Sequence, residues 1–241
     1  GKPFNIYKFR SMSIKNKVIC IIPARGGSKS IPKKNIKLIN KKPLIFYTIE
    51  TAIKSKIFDF ILVSSDSNEI LNKCKIYKDV VTILRPKSIS KDNSKTEEAL
   101  IHACQKIKCK YSFTPDIVFT LEPTSPLRSI KTIKNALKIY NDNNADSVIG
   151  VTETKDCIGS IKNGRFFHLQ KNQPRRRQER ETFYVENSII YATSYKMLNK
   201  KKSILGDRLY PIIVSKVESF DINDKEDFYI AESLLLRKKL L

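Results

Sequence analysis

The stretch VICIIPARGGSKSIPKKN, Val18 to Asn35, decides the fold. It opens with an apolar run, Val18 to Ile22, breaks at Pro23, and continues into a turn carrying Gly26, Gly27 and the cations Arg25, Lys29, Lys33 and Lys34. A short buried strand followed by such a turn is how an open α/β sheet presents backbone N–H groups to a phosphate, because glycine puts no Cβ in the way. The spacing is neither G-x-x-x-x-G-K-[ST] nor G-x-G-x-x-G, so the P-loop and dinucleotide fingerprints do not apply.

Outward from this segment, short β-rich runs alternate with helical patterns. Val18 to Ile22, Phe60 to Ser64, Val80 to Leu84, Ile117 to Leu121, Ser147 to Val151, Ser188 to Ala192 and Ile212 to Val214 read as strands. Leu44 to Lys54, Asn68 to Tyr77, Thr96 to Ile107, Ile130 to Tyr140 and Lys225 to Leu236 carry apolar residues at helical spacing. The βαβ rhythm predicts an α/β fold, a largely parallel sheet with helices on both faces. From Thr152 to Glu186 the chain is polar and carries Gly159, Gly164, Pro174 and the run Arg175 to Arg177. That segment reads as an excursion from the sheet that packs on another subunit.

A chain of 241 residues fits one large domain better than two. We divide it into an N-terminal extension, residues 1–16, and a domain over residues 17–241. No stretch approaches the roughly 18 to 20 apolar residues that cross a bilayer, and no signal-peptide pattern follows the first strand. No membrane partner is expected. The five cysteines, Cys20, Cys74, Cys104, Cys109 and Cys157, include no C-x-x-C pair and read as core thiols of a cytoplasmic protein. The net charge of +22 would attract polyanions. Lysines are nevertheless spread along the whole chain beside abundant Ile and Asn, a compositional bias, and no nucleic-acid partner is expected.

The motifs ARGGSKSIPKKN, VSSD (Val63 to Asp66), LEPTSPLR (Leu121 to Arg128), RRRQE (Arg175 to Glu179), ENSIIYA (Glu186 to Ala192) and SFDIND (Ser219 to Asp224) occur in that order. Together they resemble the acylneuraminate cytidylyltransferases, the CMP-sialic acid synthetases and their relatives acting on legionaminic and similar nine-carbon acids. The resemblance runs from about Lys17 to Leu236. It implies a three-layer, mostly parallel (mixed) sheet of Rossmann-like nucleotidyltransferase type with a small dimerisation excursion. It also implies a homodimeric enzyme that joins CTP to a nine-carbon 2-keto-3-deoxy sugar acid with Mg2+, releasing pyrophosphate.

Residue by residue, the resemblance implies that Arg25 and Lys34 bind the triphosphate and act in catalysis, in a loop with Gly26, Gly27 and Ser28. It puts Asn35 on the ribose side and Arg85, Ser94 and Thr96 near the cytosine. Glu122, Thr124, Arg177, Asn187 and Tyr191 match sugar-side positions, with Arg177 pairing with the sugar carboxylate. Asp221 and Asn223 match the metal positions. The chemistry agrees: departing pyrophosphate builds negative charge that a fixed Arg and Lys stabilise.

Several departures matter. Glu122 stands where the family usually has Gln, and a carboxylate there accepts hydrogen bonds from sugar hydroxyls or amide N–H groups. Ser188 and Ile189 replace a common Gly and Ala. Asn223 replaces the second metal-binding Asp, which removes a charge but keeps an oxygen; Asp224 or Asp227 either compensates or caps the following helix. Arg128 either contacts substrate or, the preferred reading, forms a salt bridge where the next helix starts. Gly1 to Met12 resembles a short motif of membrane-associated sugar-phosphate transferases, a surface-glycan setting, but reads as a fusion remnant because twelve residues carry no activity. Three alternatives stand beside the main reading: an octulosonate cytidylyltransferase, a basic nucleic-acid-binding protein, and a non-catalytic relative.

Overall fold

The computed structural model describes residues 16–27 and 30–240, with side chains to residue 237. The expected extension and Ser28 of the phosphate loop lie outside the described residues, apart from Asn16. In chain order the elements are β1 (Val18–Pro23), β2 (Leu38–Ile39), β3 (Lys42–Pro43), α1 (Leu44–Ser55), β4 (Phe60–Ser65), α2 (Asn68–Cys74), β5 (Val80–Leu84), α3 (Thr96–Tyr111), β6 (Ile117–Thr120) and α4 (Ile130–Asp142). They continue with β7 (Ser147–Thr154), β8 (Gly159–Lys162), β9 (Arg165–His168), β10 (Phe183–Ser194), α5 (Tyr195–Lys201), β11 (Leu209–Ile213) and α6 (Lys225–Leu240).

Seven strands form one sheet in the order β11-β7-β10-β6-β1-β4-β5. Only β10 runs antiparallel to its neighbours β6 and β7; the remaining pairs are parallel. Strand period two sorts the central residues onto the two faces. Val18, Cys20 and Ile22 pack with Ile45, Ile49, Ile70 and Ile133 of α1, α2 and α4. Ile19 and Ile21 pack with Leu100, Ala103, Cys104, Ile107 and Leu198 of α3 and α5. The three layers expected from the sequence are therefore present. Two helix starts follow side-chain caps: Ser67 Oγ accepts from the Ile70 N–H and Ser129 Oγ from the Thr132 N–H. Pro211 sits in the edge strand β11, where the missing N–H is tolerated.

A third apolar cluster fixes the site. Ile31 and Ile39 after the phosphate loop, Leu127 of LEPTSPLR, and Ile222, Phe228, Ala231 and Leu235 pack together. Burial of this patch docks α6 and the Asp221 segment beside the first loop.

The polar excursion is shorter than its sequence suggests. Residues 152–154 continue β7 and residues 183–186 continue β10, pairing Phe183 with Thr154 and Glu186 with Val151. These strand ends project past the core, so they lack the apolar alternation that marks a strand. Between them β8 and β9 form a separate hairpin. Of the cysteines, Cys20, Cys74 and Cys104 are core thiols, whereas Cys109 and Cys157 are exposed. No helix among the described residues is long and apolar enough to cross a membrane.

Candidate active site

The sheet order reverses at β1: the chain moves outward to β4 and β5 and returns to place β6 on the other side. Ligands of open α/β sheets bind outside the carboxyl ends of the strands at such a point. There the structure holds a cavity of about 500 Å3 lined by Arg25, Gly27, Lys34, Asn35, Arg85, Ser94, Thr96, Glu122, Thr124 and Asn223, among others. Ten residues read from separate motifs thus share one wall.

The phosphate loop is built from its own backbone. The Gly26 N–H donates to Asp66 Oδ1 at 2.9 Å, and a Cβ on Gly26 would stand 2.8 Å from Ser67 Cβ, so a side chain there would displace the β4–α2 turn. Asn35 Nδ2 donates to the Arg25 carbonyl at 2.9 Å and Lys34 Nζ to the Ile222 carbonyl at 2.9 Å, tying the loop to the segment that carries Asp221. Arg25 Nη1 pairs with Asp92 at 2.9 Å, with both side chains well exposed. A pair this solvated is weak, so it yields readily to a phosphate.

Arg85 follows β5 and is 5% exposed, with its Nε and Nη2 buried and without a protein partner. Burial lowers the proton affinity of its guanidinium, with Asp66 opposing the shift, Arg25 adding to it and Glu122 opposing it. Unpaired buried donors of this kind cost free energy until a ligand accepts from them.

Glu122 follows β6. Burial, with Asp221 adding, pushes its carboxyl up to about 7, while Arg128, Arg85 and Lys34 act the other way. Asp221 Oδ1 is itself buried and has no hydrogen-bond partner. Tyr191 belongs to the same neighbourhood: burial raises its phenol pKa, then Glu186, whose carboxylate accepts its O–H at 3.1 Å, with Glu122 and Asp221 adding. A carboxyl near 7 has a stability consequence. Between about pH 4.5 and 7 the folded chain keeps a proton on Glu122 that the unfolded chain has released, so this group's contribution falls as pH rises through that window. The full effect is at most about 3 kcal/mol. In magnesium-free buffer, the Tm of Glu122→Gln should gain on wild type from pH 5 to 8; a Tm difference independent of pH would refute the shifted carboxyl.

Other residues take up different positions from those expected. Arg177 lies outside the cavity lining, on the 3-10 turn Arg177–Glu179, where its Nη1 pairs with Asp156 at 2.5 Å. Asn187 sits in β10 at the start of a bulge, its Nδ2 donating to Thr152 Oγ1 at 2.8 Å and its Oδ1 accepting from the Ile189 N–H at 3.3 Å. The opposing residue is Gly150, where a Cβ would collide with both Asn187 and Ile189. Asp224 Oδ1 accepts from the Asp227 N–H, and Asp227 Oδ2 from the N–H groups of Asn223 and Asp224. Both carboxylates therefore act as helix caps. Among the described residues Arg128 makes no salt bridge before α4, and it does not line this cavity: it is 1% exposed, and its guanidinium donates to Ile189, Thr48 and Glu122. Sequence reasoning gave no role to Asp66, the last residue of VSSD, and missed Asp92; they act on the loop's backbone and on Arg25.

The glycine-containing basic loop at the switch point, Arg85 with its unpaired buried donors and the Glu122 carboxyl line one cavity whose charge suits an anionic ligand. The chain belongs to the cytidylyltransferase family, whose model matches residues 19–234. It is similar to an N-acylneuraminate cytidylyltransferase of Streptococcus agalactiae serotype III (strain NEM316), 31% identical over 219 residues, covering 88% of this chain and 52% of the relative. It is also similar to a CMP-N,N'-diacetyllegionaminic acid synthase of Legionella pneumophila, 32% identical over 230 residues, covering 91% of this chain and 96% of the relative. The chain spans about half the length of the Streptococcus agalactiae relatives it matches. Among solved structures, a CMP:2-keto-3-deoxy-manno-octonic acid synthetase complexed with CTP superposes with a TM-score of 0.70 at 15% identity, covering 92% of this chain and 99% of that one. A 4-diphosphocytidyl-2C-methyl-D-erythritol synthase gives 0.69 at 13% identity, covering 92% and 100%. These two likenesses establish the fold.

Proposed function

We propose that the protein transfers CMP from CTP to the anomeric 2-hydroxyl of a nonulosonic, sialic-acid-like sugar acid, releasing pyrophosphate, in the cytoplasm. The observation that carries this reading is the single cavity lined together by Arg25, Lys34, Arg85, Ser94, Thr96, Glu122 and Thr124. The named relatives support it.

In this reading Arg85 donates its buried N–H groups to cytosine O2 and N3. Uracil presents an N–H at N3 and leaves that donor unpaired, so the buried guanidinium discriminates against UTP. Arg25 exchanges Asp92 for phosphate oxygens, and Lys34, held by the Ile222 carbonyl, adds a second fixed charge where pyrophosphate departs. Glu122 and Tyr191 orient the sugar's donor groups. Asp221 and Asn223 would hold one divalent cation: Asp221 Oδ1 is buried without a partner, and Asn223 two residues on lines the cavity. When bound, Mg2+ supplies charge neutralisation of phosphate oxygens and lowers the proton affinity of a nearby hydroxyl.

The test is product identity. Incubated with CTP and Mg2+, the protein should convert N-acetylneuraminic or N,N'-diacetyllegionaminic acid to a CMP-sugar detectable by mass spectrometry. Product from the eight-carbon octulosonic acid alone would move the protein to the octulosonate branch.

The same reading includes a homodimer. The hairpin and the strand ends beside it expose Ile161, Phe166, Leu169, Tyr184 and Val185, with Ile161 and Leu169 at 74% and 70%, more apolar surface than a lone arm needs. Light scattering at micromolar concentration should give twice the chain mass of 27.8 kDa. A fully active species at the single-chain mass would remove the dimer.

A further inference from the structure

We propose that Arg128 is a positioning residue: its buried guanidinium ties together three separate segments, two of which carry residues of the proposed sugar side, and thereby sets affinity for the sugar acid, not for CTP. This rests on the CMP-transfer reading above. The guanidinium reaches acceptors that lie far apart in the chain. Its Nε donates to the Ile189 carbonyl in the β10 bulge, its Nη1 to Thr48 Oγ1 on α1 at 3.2 Å, and its Nη2 to the Glu122 carbonyl after β6 at 2.9 Å. Thr48 Oγ1 closes the ring by donating to the same Glu122 carbonyl at 3.4 Å.

Two of these segments carry residues of the proposed sugar side, and α1 contributes Thr48 as the third acceptor. The Glu122 carbonyl anchors the residue whose carboxyl faces the cavity, and the Ile189 carbonyl fixes the bulge between Asn187 and Tyr191. None of the hydrogen bonds of Arg128 goes to Arg25, Asn35, Arg85, Ser94 or Thr96, which form the nucleotide side. Among the described residues no carboxylate pairs directly with Arg128. Glu122, Glu218 and Asp221 act on it at longer range, and burial lowers its pKa to about 10, so it remains a cation at neutral pH. A buried cation without a direct counter-ion is costly. Here it also offsets the two acidic groups, Glu122 and Asp221, that crowd the pocket. Lysine has the charge but not the planar fork, and cannot hold three acceptors in three directions.

The experiment combines kinetics with hydrogen exchange on wild type, Arg128→Lys and Thr48→Val, using CTP and N,N'-diacetyllegionaminic acid. KM for the sugar acid should rise about tenfold in Arg128→Lys and about threefold in Thr48→Val, the scale of one or two lost hydrogen bonds. The Kd for CTP, measured by calorimetry, should stay within about twofold in both variants. Amide exchange should accelerate over residues 121–125 and 187–191 in both variants and remain unchanged over residues 30–36. Equal losses for both substrates, or a lowered Tm with wild-type KM and unchanged exchange in the two segments, would overturn the proposal. If wild type turns over no sugar acid, the CMP-transfer reading fails, and the exchange data still decide whether Arg128 holds the three segments.

Discussion

Arg25→Ala and Lys34→Ala are each expected to lower kcat by about 100-fold or more, the effect of removing one preorganised electrostatic donor from a site where charge develops. The two residues reach this role differently. Lys34 is held by the Ile222 carbonyl, so its ammonium is already fixed beside the cavity. Arg25 rests on Asp92 in an exposed pair and must leave it. The control follows from that difference: Asp92→Asn should change kcat by no more than a few-fold, because exposed ion pairs are worth about 1 kcal/mol or less. Single-turnover rates with CTP and a sugar acid separate the cases. A wild-type kcat in Arg25→Ala or in Lys34→Ala would remove that residue from the chemistry.

Asp221→Asn should nearly abolish turnover, and Asn223→Asp should lower the Mg2+ concentration that gives half-maximal rate. Asp221 has a buried carboxylate oxygen with no protein partner, and burying such an oxygen is costly unless something else pairs with it. Asn223 lines the cavity two residues on, its Nδ2 turned to the Asp221 carbonyl at 3.5 Å. Asp224 Oδ1 and Asp227 Oδ2 are already engaged in capping α6 and the turn before it. Placing a second carboxylate at residue 223 adds the missing charge to a site otherwise completed by phosphate oxygens. Titrating Mg2+ at fixed CTP in wild type and both variants decides the matter. An unchanged half-maximal concentration in Asn223→Asp would show that residue 223 is not a ligand.

The parts of the fold that pack both faces of the sheet were legible because their apolar residues repeat at strand or helix spacing between recognisable caps. Val80–Leu84 was read with its observed bounds, and α2 and α4 begin after Ser67 and Ser129 as their caps require. Elements that pack little were not legible. Residues 183–186 of β10 are mostly exposed, β8 and β9 pair only with each other, and α5 buries only Leu198 among the residues of its seven-residue turn. The cavity lining was legible for a related reason: Arg25, Lys34, Arg85, Glu122 and Asn223 follow strands, or pack on segments that follow them, and a parallel sheet brings such positions to one edge. Arg128 was misread because its partners lie 61 and 80 residues away, and an arginine before a helix ordinarily faces water. Arg177 shows the limit of spacing. Ten residues before Asn187 places it on the excursion, but not the direction its guanidinium takes, and in this chain that direction is toward Asp156.

Nucleotide choice tests the central claim most directly. With N,N'-diacetyllegionaminic or N-acetylneuraminic acid present, pyrophosphate release should be far faster from CTP than from UTP or ATP if the buried, unpaired Arg85 donors read the cytosine edge as proposed. Release that does not distinguish CTP from UTP, or no release with any sugar acid while single-stranded or duplex DNA binds with sequence preference, would contradict it.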